Sequence, residues 1–502
     1  MRLLGMSLIL AGASVAALAQ TNTPGVQKMS LDDCIQSALE KNLDMRIARY
    51  NPPLSLTDLQ AAYAGYNPNF SFSGQHGFSE SGGGFNPAIG TVPSTTTDQN
   101  SFNTSLGGLT PWGLNYNMSG NLQEAFGRGA QGAATAPFDI ASGGTSISLS
   151  QPLLKNFWID STRFNIKVAK NRIKYTDLGL KQTIMNIVTT LEQAYYDLIY
   201  ARENVTVQEK AVELATQLEV ENRKRVEVGS LAPLDQLQAE AQAASTRAIL
   251  IAAKGALVIQ QNTVKQLITD NYAAMEPIDL QPTAPLSAPV QVFDRQISWS
   301  KGLSERPDLL QAKLDIERQG VTLKYNFNQL FPELDMTGAY GYGAGGQGIS
   351  EYSQALSQIG GLEQPAWSFG AKMTYPLGNT GARATYKRSK LTMEQYMLTL
   401  KKLEQTIIIT IDNDIVQARS SYHQVGATRS AREYAAEALA AEQKKLENGK
   451  STTYTVLQMQ RDLTTARGTE IQALATYNKA LAQLSLDEGT TLKRLGINVE
   501  VK

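Results

Sequence analysis

The sequence predicts a mixed α+β membrane protein, in which long α-helical coiled-coil hairpins form most of the chain and β-strands contribute to a membrane barrel. Two long segments without helix breakers predict the hairpins, and four short segments with alternating side chains predict the strands. The same order of elements occurs twice along the chain. We therefore expect one elongated body made of two similar halves.

The first long helix is predicted from about Asp160 to Gly229, where no proline and only one glycine, Gly179, interrupt the pattern before the end. At ~1.5 Å per residue such a helix would be roughly 100 Å long, which exceeds the needs of a compact domain. A returning helix is predicted from Pro233 to about Thr269. Apolar residues recur at every seventh position, the period of a coiled coil, at Ile184, Leu191, Leu198, Val205, Val212 and, after Glu219, Val226.

The second half of the chain repeats this unit. Gly381 to Asn448 is predicted as a long helix that ends, like the first, at a glycine turn. Leu237-Gln238 follows Gly229 by the same spacing as Leu457-Gln458 follows Gly449. The predicted division is a first repeat over residues 20–275, a Pro-rich linker over 276–292, a second repeat over 293–486 and a C-terminal tail over 487–502.

Four predicted strands alternate aromatic or apolar side chains with small polar ones, which fits a membrane barrel with a water-filled lumen. A single strand of this kind is also compatible with an ordinary half-buried sheet, but each of the four adjoins a long helical region at a proline. The strands are Asn69 to Ser79, Thr145 to Leu153, Leu334 to Tyr342 and Trp367 to Tyr375. The predicted helix-to-barrel junctions are Pro68, Pro152, Pro332 and Pro376.

The segment from Glu80 to Gly144 is rich in Gly, Ser, Thr and Asn. Within it, residues 101–122 could form a further hairpin around Thr110-Pro111-Trp112. The pattern is compatible with an extracellular loop or with additional barrel strands, and it does not choose between them.

Residues 1–19 have the pattern of a secretory signal peptide: a basic start at Arg2, an apolar run and a small-residue end at Ala17-Leu18-Ala19. No cysteine follows the expected cleavage point, so a lipid anchor is not expected there. The rest of the chain shows no run of ~18 apolar residues, so the sequence does not predict a transmembrane helix in the mature protein.

The composition argues against several classes of function. Lys+Arg and Asp+Glu both number 46, so a net charge of zero gives no electrostatic basis for binding nucleic acid. His76, His423 and the single Cys34 are far apart and suggest no metal site, cofactor or disulfide. No nucleophile–base pair or phosphate-binding loop is recognisable, so we do not expect an enzyme.

Four strands cannot close a barrel, and open sheet edges are not tolerated in lipid. Several copies of the chain must therefore contribute to one barrel. Several copies of the helical hairpins would likewise be needed to enclose a tube.

These features resemble the outer-membrane efflux protein family, the TolC-like outer-membrane channels. The resemblance covers nearly the whole mature chain and rests on the duplicated order of elements. It also rests on Gln151-Pro152-Leu153-Leu154 and on the turns Arg225-Val226-Glu227-Val228-Gly229-Ser230 and Leu446-Glu447-Asn448-Gly449. No single motif is diagnostic, but their duplicated order is.

The resemblance implies a homotrimer with a 12-stranded β-barrel in the outer-membrane lipid and a twelve-helix tunnel that extends into the periplasm. It implies a passive exit duct of a tripartite efflux or type I secretion system. A periplasmic adaptor (membrane fusion protein) would dock on its tip, and an inner-membrane transporter would supply the energy.

The resemblance also implies two sets of site residues. The adaptor-docking tip would consist of the hairpin turns, Val228, Gly229, Ser230, Gly449 and Lys450. The tunnel aperture would be lined just past these turns by Asp235, Thr455 and Gln458. Because the second-half positions are neutral here, only one carboxylate per chain is expected at the aperture, which weakens the attraction for cations. Asp235 is equally compatible with a first-turn residue favoured by the helix dipole.

Two other classes remain open at this point. A periplasmic adaptor or surface fibre could be built on the same helical hairpins without a channel. A secreted pore-forming toxin would share the helices but would begin as a soluble monomer.

Overall fold

The computed structural model describes residues 25–88, 90–131, 134–346 and 348–497. The predicted signal peptide, residues 1–19, lies outside the described residues, as does the end of the predicted tail from residue 498. The described chain forms two compact units that each take segments from both halves of the sequence. One unit contains Thr183–Ser298 and Thr410–Ile497 with the residues up to Ile47, and the other contains Ala48–Gln182 and Trp299–Ile409.

The helices of the described residues include two very long ones, each followed by a shorter returning helix. In chain order they are α1 (Leu31–Lys41), α2 (Leu43–Ala48), α3 (Asn51–Tyr63), α4 (Ser161–Glu227), α5 (Pro233–Ile268), α6 (Tyr272–Met275), α7 (Arg295–Glu305), α8 (Pro307–Asn328), α9 (Tyr352–Gly360), α10 (Thr380–Glu447), α11 (Thr453–Asp487) and α12 (Thr491–Arg494).

The strands fall into one large sheet and two small ones. In chain order they are β1 (Val26–Met29), β2 (Asn69–Ser81), β3 (Gly84–Asn86), β4 (Gly90–Val92), β5 (Thr95–Leu109), β6 (Asn115–Gln131), β7 (Ala134–Pro152), β8 (Asp279–Pro282), β9 (Glu333–Ala344) and β10 (Gln364–Thr374).

The large sheet has six strands in the order β10-β9-β7-β6-β5-β2, and every neighbouring pair is antiparallel. The prediction of four strands per chain is therefore wrong, because residues 95–131 form two further strands of the same sheet. The many Gly, Ser and Asn residues of these two strands have low intrinsic β-propensity. The strands form because each pairs with a neighbouring strand on both sides. The four strands that the sequence predicts are all present.

The helical segment before β2 includes two prolines at its start. Helix α3 begins at Asn51 and places Pro52 and Pro53 in its first turn. Proline is tolerated there because the first N–H groups of a helix have no intrahelical partner. Residues Ala64–Tyr66 then form a 3₁₀ turn before Pro68 and β2.

The predicted coiled-coil seam forms the core of the unit that contains the hairpins. Ile184, Leu191 and Leu198 are at most 1% exposed. In the second half, Ile411, Ala418, Val425 and Leu439 are buried in the same way. Near the hairpin turns, Leu218 of α4 packs in one cluster with Leu439 of α10 and with Val456, Leu457 and Leu463 of α11.

The Pro-rich segment between the two halves is held by a small sheet that the sequence does not predict. Its residues Asp279–Pro282 form β8, which pairs in parallel with β1. Arg202 of α4 and Gln261 of α5 both donate to the carboxylate of Asp279 at 2.5 Å. Part of the predicted linker is therefore a fixed element packed on the long helices.

The described part of the predicted C-terminal tail is also attached to the helices. It includes α12, whose Arg494 guanidinium contacts the fully buried Glu192 carboxylate of α4 at 2.6 and 2.7 Å. Burial raises the pKa of Glu192, and the charge of Arg494 opposes that rise.

One helix of the described residues, α5, is long and apolar enough to cross a membrane by length and composition alone. Of the residues in the apolar stretch of α5, 17% are buried, and Ile251 and Ile259 are exposed in the single chain.

Candidate functional site

The six-stranded sheet separates two kinds of side chain on its two faces. One row crosses all six strands and consists of apolar residues that are exposed in the single chain: Phe70, Leu106, Met118, Ile147, Tyr340 and Trp367. The adjacent row, on the opposite face, contains only small residues: Ser71, Ser105, Ser119, Ser146, Gly341 and Ala366. This alternation is the pattern of a barrel with lipid outside and water inside.

The small-residue face is strongly hydrophilic over its whole width. The hydroxyl oxygens of Ser71 and Ser105 lie 2.8 Å apart, and those of Ser119 and Ser146 lie 3.0 Å apart. Further Ser, Asn, Gln and Thr side chains on this face are Ser73, Gln75, Asn103, Asn117, Asn121, Ser148 and Thr337. A face of this composition can line an aqueous passage, and few of its residues carry a charge.

The apolar face is interrupted by polar residues toward the ends of the strands farther from the junction prolines. His76 Nδ1 lies 2.8 Å from Asn100 Oδ1, and the Asn100 amide donates to Glu124 Oε2 at 3.5 Å. Asp98 lies 3.8 Å from the other ring nitrogen of His76. These four side chains form a polar boundary across β2, β5 and β6, beyond which Phe78 and Phe126 are exposed on the same face.

Helix α9 lies on the apolar face close to this boundary. Ala355 of α9 is fully buried in a cluster with Ala141, Ala344 and Ile349. The Tyr352 hydroxyl donates to the Asn100 carbonyl oxygen at 3.3 Å, and its ring contacts Phe102 edge-on at 5.8 Å between centroids. The helix thus covers part of the belt near its edge.

The four junction prolines all lie where a strand meets a helical region. Pro68 directly precedes β2, Pro152 is the last residue of β7, Pro332 directly precedes β9, and Pro376 follows β10. The carbonyl of Pro332 accepts the Lys155 N–H at 3.3 Å, and the carbonyl of Pro376 accepts the Asn379 N–H at 3.1 Å. These bonds tie the strand ends to the chain that leads into or out of the helices.

The two hairpin turns have the same geometry. Gly229 and Gly449 have φ values of 74° and 69°, in the left-handed region where glycine is favoured. In the first turn, Ser230 N–H donates to Arg225 O at 2.8 Å; in the second, Lys450 N–H donates to Lys445 O at 2.8 Å. Both are Schellman motifs, which satisfy the last carbonyls of the long helices. Val228, at the end of the first hairpin, is 79% exposed.

The predicted aperture residues lie near the starts of the two returning helices, with Asp235 and Thr455 in the first turns and Gln458 in the second turn of α11. The N–H of Asp235 donates to Ala232 O at 3.0 Å, and its carbonyl accepts the side-chain amide of buried Asn222 at 3.3 Å. Its carboxylate takes no part in either bond. In α11, Thr452 caps the helix by accepting the Thr455 N–H at 3.3 Å.

A carboxylate lies beside Gln458 on the same face of α11. Its side-chain amide donates to the carboxylate of Asp462 at 3.1 Å, and Asp462 is exposed. Asp235 is the only carboxylate that the sequence pattern predicts for the aperture, and Asp462 was not among the predicted residues. The signal was available, because residues four apart share one face of a helix.

Each hairpin is cross-linked by a glutamate that is only 13% exposed in its side chain. In the first hairpin, Glu219 of α4 contacts Arg223 at 2.9 Å and Arg247 of α5 at 3.4 Å. In the second, Glu470 of α11 contacts Arg432 of α10 at 2.7 Å. The carboxylate is on the outgoing helix in one hairpin and on the returning helix in the other.

The second turn holds one further carboxylate with a shifted pKa. Glu442 accepts a hydrogen bond from the Ser451 hydroxyl and another from Lys445 at 2.9 Å. These two bonds, that of Ser451 first, lower the pKa of Glu442 below its ordinary value.

Within the described ranges, no group of three His, Cys, Asp or Glu residues is arranged to hold a metal ion. Cys34 is 2% exposed in α1, and burial, aided by the charge of Asp33, raises the pKa of its thiol to about 12. A thiol held neutral in this way is unreactive. It behaves as a small core residue.

The chain is similar to a known family over most of its length. Residues 115–269 and 299–487 match the model of the family described as Outer membrane efflux protein. These two segments make up more than half of the chain.

Individual relatives agree with this match. Outer membrane efflux protein BepC of Brucella suis biovar 1 (strain 1330) is 23% identical over 366 residues, which cover 71% of this chain and 75% of BepC. Outer membrane protein TolC of Vibrio cholerae serotype O1 is 22% identical over 267 residues, or 52% of this chain and 57% of that protein.

The fold is also similar to that of solved outer-membrane channels. The Campylobacter jejuni CmeC outer membrane channel superposes with a TM-score of 0.67 at 14% identity, covering 97% of this chain and 94% of CmeC. At this identity the likeness shows a shared fold.

Proposed function

This chain belongs to the outer membrane efflux protein family, and from that membership we propose that it is the exit duct of a tripartite efflux or type I secretion system. Its outer-membrane location and its nature as a channel protein rather than an enzyme follow from the family. The finer statements below, on assembly, docking and the aperture, are parts of the proposal.

The observation that carries the proposal is the pair of opposed rows on the large sheet. The row from Phe70 to Trp367 presents apolar side chains on every strand, and the row from Ser71 to Ala366 presents small ones. Burying the apolar face in lipid removes it from water at roughly 25 cal/mol per Å². In a soluble adaptor or fibre, an apolar row across six strands would be exposed to water.

The proposed assembly is a homotrimer. The sheet of one chain has two free edges, and a membrane does not tolerate unpaired backbone groups. The exposed Ile251 and Ile259 of α5 would similarly be covered by helices of neighbouring copies in a tunnel. We place the helices in the periplasm and the strands in the outer membrane.

The proposed sequence organisation is a signal peptide over residues 1–19 followed by two structural repeats. The repeats are residues 20–275 and 293–486, joined by the segment 276–292 and followed by the tail 487–502. The two Schellman turns support this division, because they end the two long helices with the same hydrogen bonds.

The hairpin turns are the proposed docking surface for a periplasmic adaptor. Val228, Gly229 and Ser230 form one turn, and Gly449 and Lys450 belong to the other. Exposed Val228 supplies apolar contact area and Lys450 a charge. An inner-membrane transporter behind the adaptor would supply the energy, and the chain itself would act passively.

The aperture of the tunnel is proposed to lie just inside these turns, at Asp235, Thr455 and Gln458. To these we add Asp462, whose carboxylate is held beside Gln458. Two carboxylates per chain rather than one would then attract cations.

The test is reconstitution of the mature protein from outer-membrane extracts into planar bilayers. The proposal expects discrete ion conductance from protein that fractionates with the outer membrane. Soluble protein that never conducts would favour an adaptor or fibre instead. A soluble monomer that inserts only after conversion would favour a pore-forming toxin.

A further inference from the structure

The hairpin β5–β6 spans the full height of the sheet. Asn69, the first residue of β2, pairs with Gly107 of β5, and Asn115, the first residue of β6, pairs with Ser150 of β7. The turn of the hairpin therefore lies at the same end of the sheet as the start of β2. A loop on the far side of the barrel would not return to this end.

The hairpin also continues both faces of the sheet without a break. Leu106 and Met118 stand in the apolar row, and Ser105 and Ser119 stand in the small-residue row. Its turn carries Trp112, which is 63% exposed. An exposed tryptophan at the end of an apolar belt is typical of a membrane–water interface.

The two free edges of the sheet run in directions that allow them to pair. The edge strand β2 contains no Pro, Lys or Arg, the residues that usually protect an edge from pairing, and β10 carries Pro365 and Lys372 only near its two ends. Because all six strands alternate in direction, β2 and β10 run in opposite directions. The β2 strand of one copy can therefore pair antiparallel with β10 of the next.

We propose that β5 and β6 are part of the barrel wall, and that β2 of each copy pairs with β10 of a second copy, so that a trimer closes a barrel of eighteen strands. The inference rests on the proposed trimeric channel and changes its dimensions. Since barrel diameter grows about linearly with strand number, this barrel would be roughly 1.5 times as wide as a twelve-stranded one. Two copies would close only twelve strands.

The wider lumen would be lined partly by the hairpin itself. Ser105 and Ser119 would face water, while Leu106 and Met118 would face lipid. This arrangement differs from an excursion outside the barrel, in which both sides of the hairpin would be wet.

The first test uses four single-cysteine variants of the full-length protein, purified as the assembled oligomer and placed in lipid nanodiscs. The variants are Ser105→Cys, Ser119→Cys, Leu106→Cys and Met118→Cys, in a Cys34→Ala background. A charged, water-soluble methanethiosulfonate reagent is added, and modification is measured as a mass shift. Thiols react as thiolates, which form in water and not in lipid.

We expect modification at the two serine positions and protection at Leu106 and Met118. Equal modification of all four would overturn the inference and place the hairpin outside the barrel wall. Protection of all four would overturn it as well, because the serines would then not face a lumen.

The second test is a density map of the wild-type trimer, in which strands are counted in a cross-section of the barrel. Eighteen strands are expected. Twelve strands in a trimeric channel would overturn this inference and leave the proposed function standing. The absence of any barrel or oligomer would overturn both.

Discussion

Phe70 and Trp367 are the two ends of one row of exposed apolar side chains that crosses the six-stranded sheet from edge strand to edge strand. Pairing the edges of neighbouring copies would bring the Phe70 of one copy close to the Trp367 of the next. The row would then become a closed apolar ring around a barrel. The alternation of apolar and small residues along each strand would then place this ring against the lipid.

The two faces of β6 should respond differently to the same substitution. Met118→Arg would place a charge in the apolar row at the fourth residue of β6, where the cost lies between the about 2–4 kcal/mol of the bilayer midplane and the about 0–1 kcal/mol of its interface. We expect a loss of assembled oligomer, measured by its yield from outer membranes. The matched control, Ser119→Arg, lies one residue away on the polar face and should assemble nearly as well as wild type. Equal yields of the two variants would contradict the assignment of the faces.

The glycines of the hairpin turns should be hard to replace. A Cβ at Gly229 or Gly449 would meet no atom within 4 Å, so only the left-handed backbone opposes a side chain. Gly229→Ala should lower the stability of its hairpin by about 1 kcal/mol. Gly426→Ala in the interior of α10, also in open space, should raise it by about 0.5–1 kcal/mol. Hydrogen exchange of the backbone amides around each substituted glycine measures both effects, and stability changes of the same sign in the two variants would refute this explanation.

The second turn should loosen in acid. Because the pKa of Glu442 is depressed below its ordinary value of 4.5, its stabilising contribution is present above about pH 4.5 and is lost as the pH falls through the folded-state pKa. A spin label on Lys450→Cys should become more mobile over that range. With Ser451→Ala added, the label should already be mobile at neutral pH and respond less to acid. A label that is insensitive to both changes would rule out this role for Glu442.

The aperture proposal predicts a change in ion selectivity. Removing carboxylates from the narrowest region should weaken its attraction for cations. Asp235→Asn and Asp462→Asn should each reduce cation selectivity in bilayers, and the double variant should reduce it further. Glu213→Gln removes an exposed charge paired with Lys210 within one helix and serves as the control. Unchanged selectivity in the double variant would remove these residues from the aperture.

The helices were largely predictable because breakers and periodicity act locally. The ends of α4, α5 and α10 lie within one or two residues of the positions expected from glycine and proline. The seam residues Ile184, Leu191 and Leu198 are buried as their seven-residue spacing indicates. Strand number was not predictable in the same way. The hairpin β5–β6 has weak local preference and is fixed by pairing with β2 and β7.

The site was partly predictable for the same reason. The two glycine turns follow from local signals, and the structure gives both the same Schellman geometry. The pairing of β1 with β8 joins segments far apart in the chain, so no local pattern indicates it. Asp462 lies four residues after Gln458, so helical spacing places both on one face of α11, but Asp462 was not predicted.

The most direct measurement of the central claim is the native mass of the mature protein extracted from outer membranes in mild detergent. The account predicts a single species with the mass of three chains, recovered from the membrane fraction. A monomer or dimer found only in the soluble fraction would contradict it.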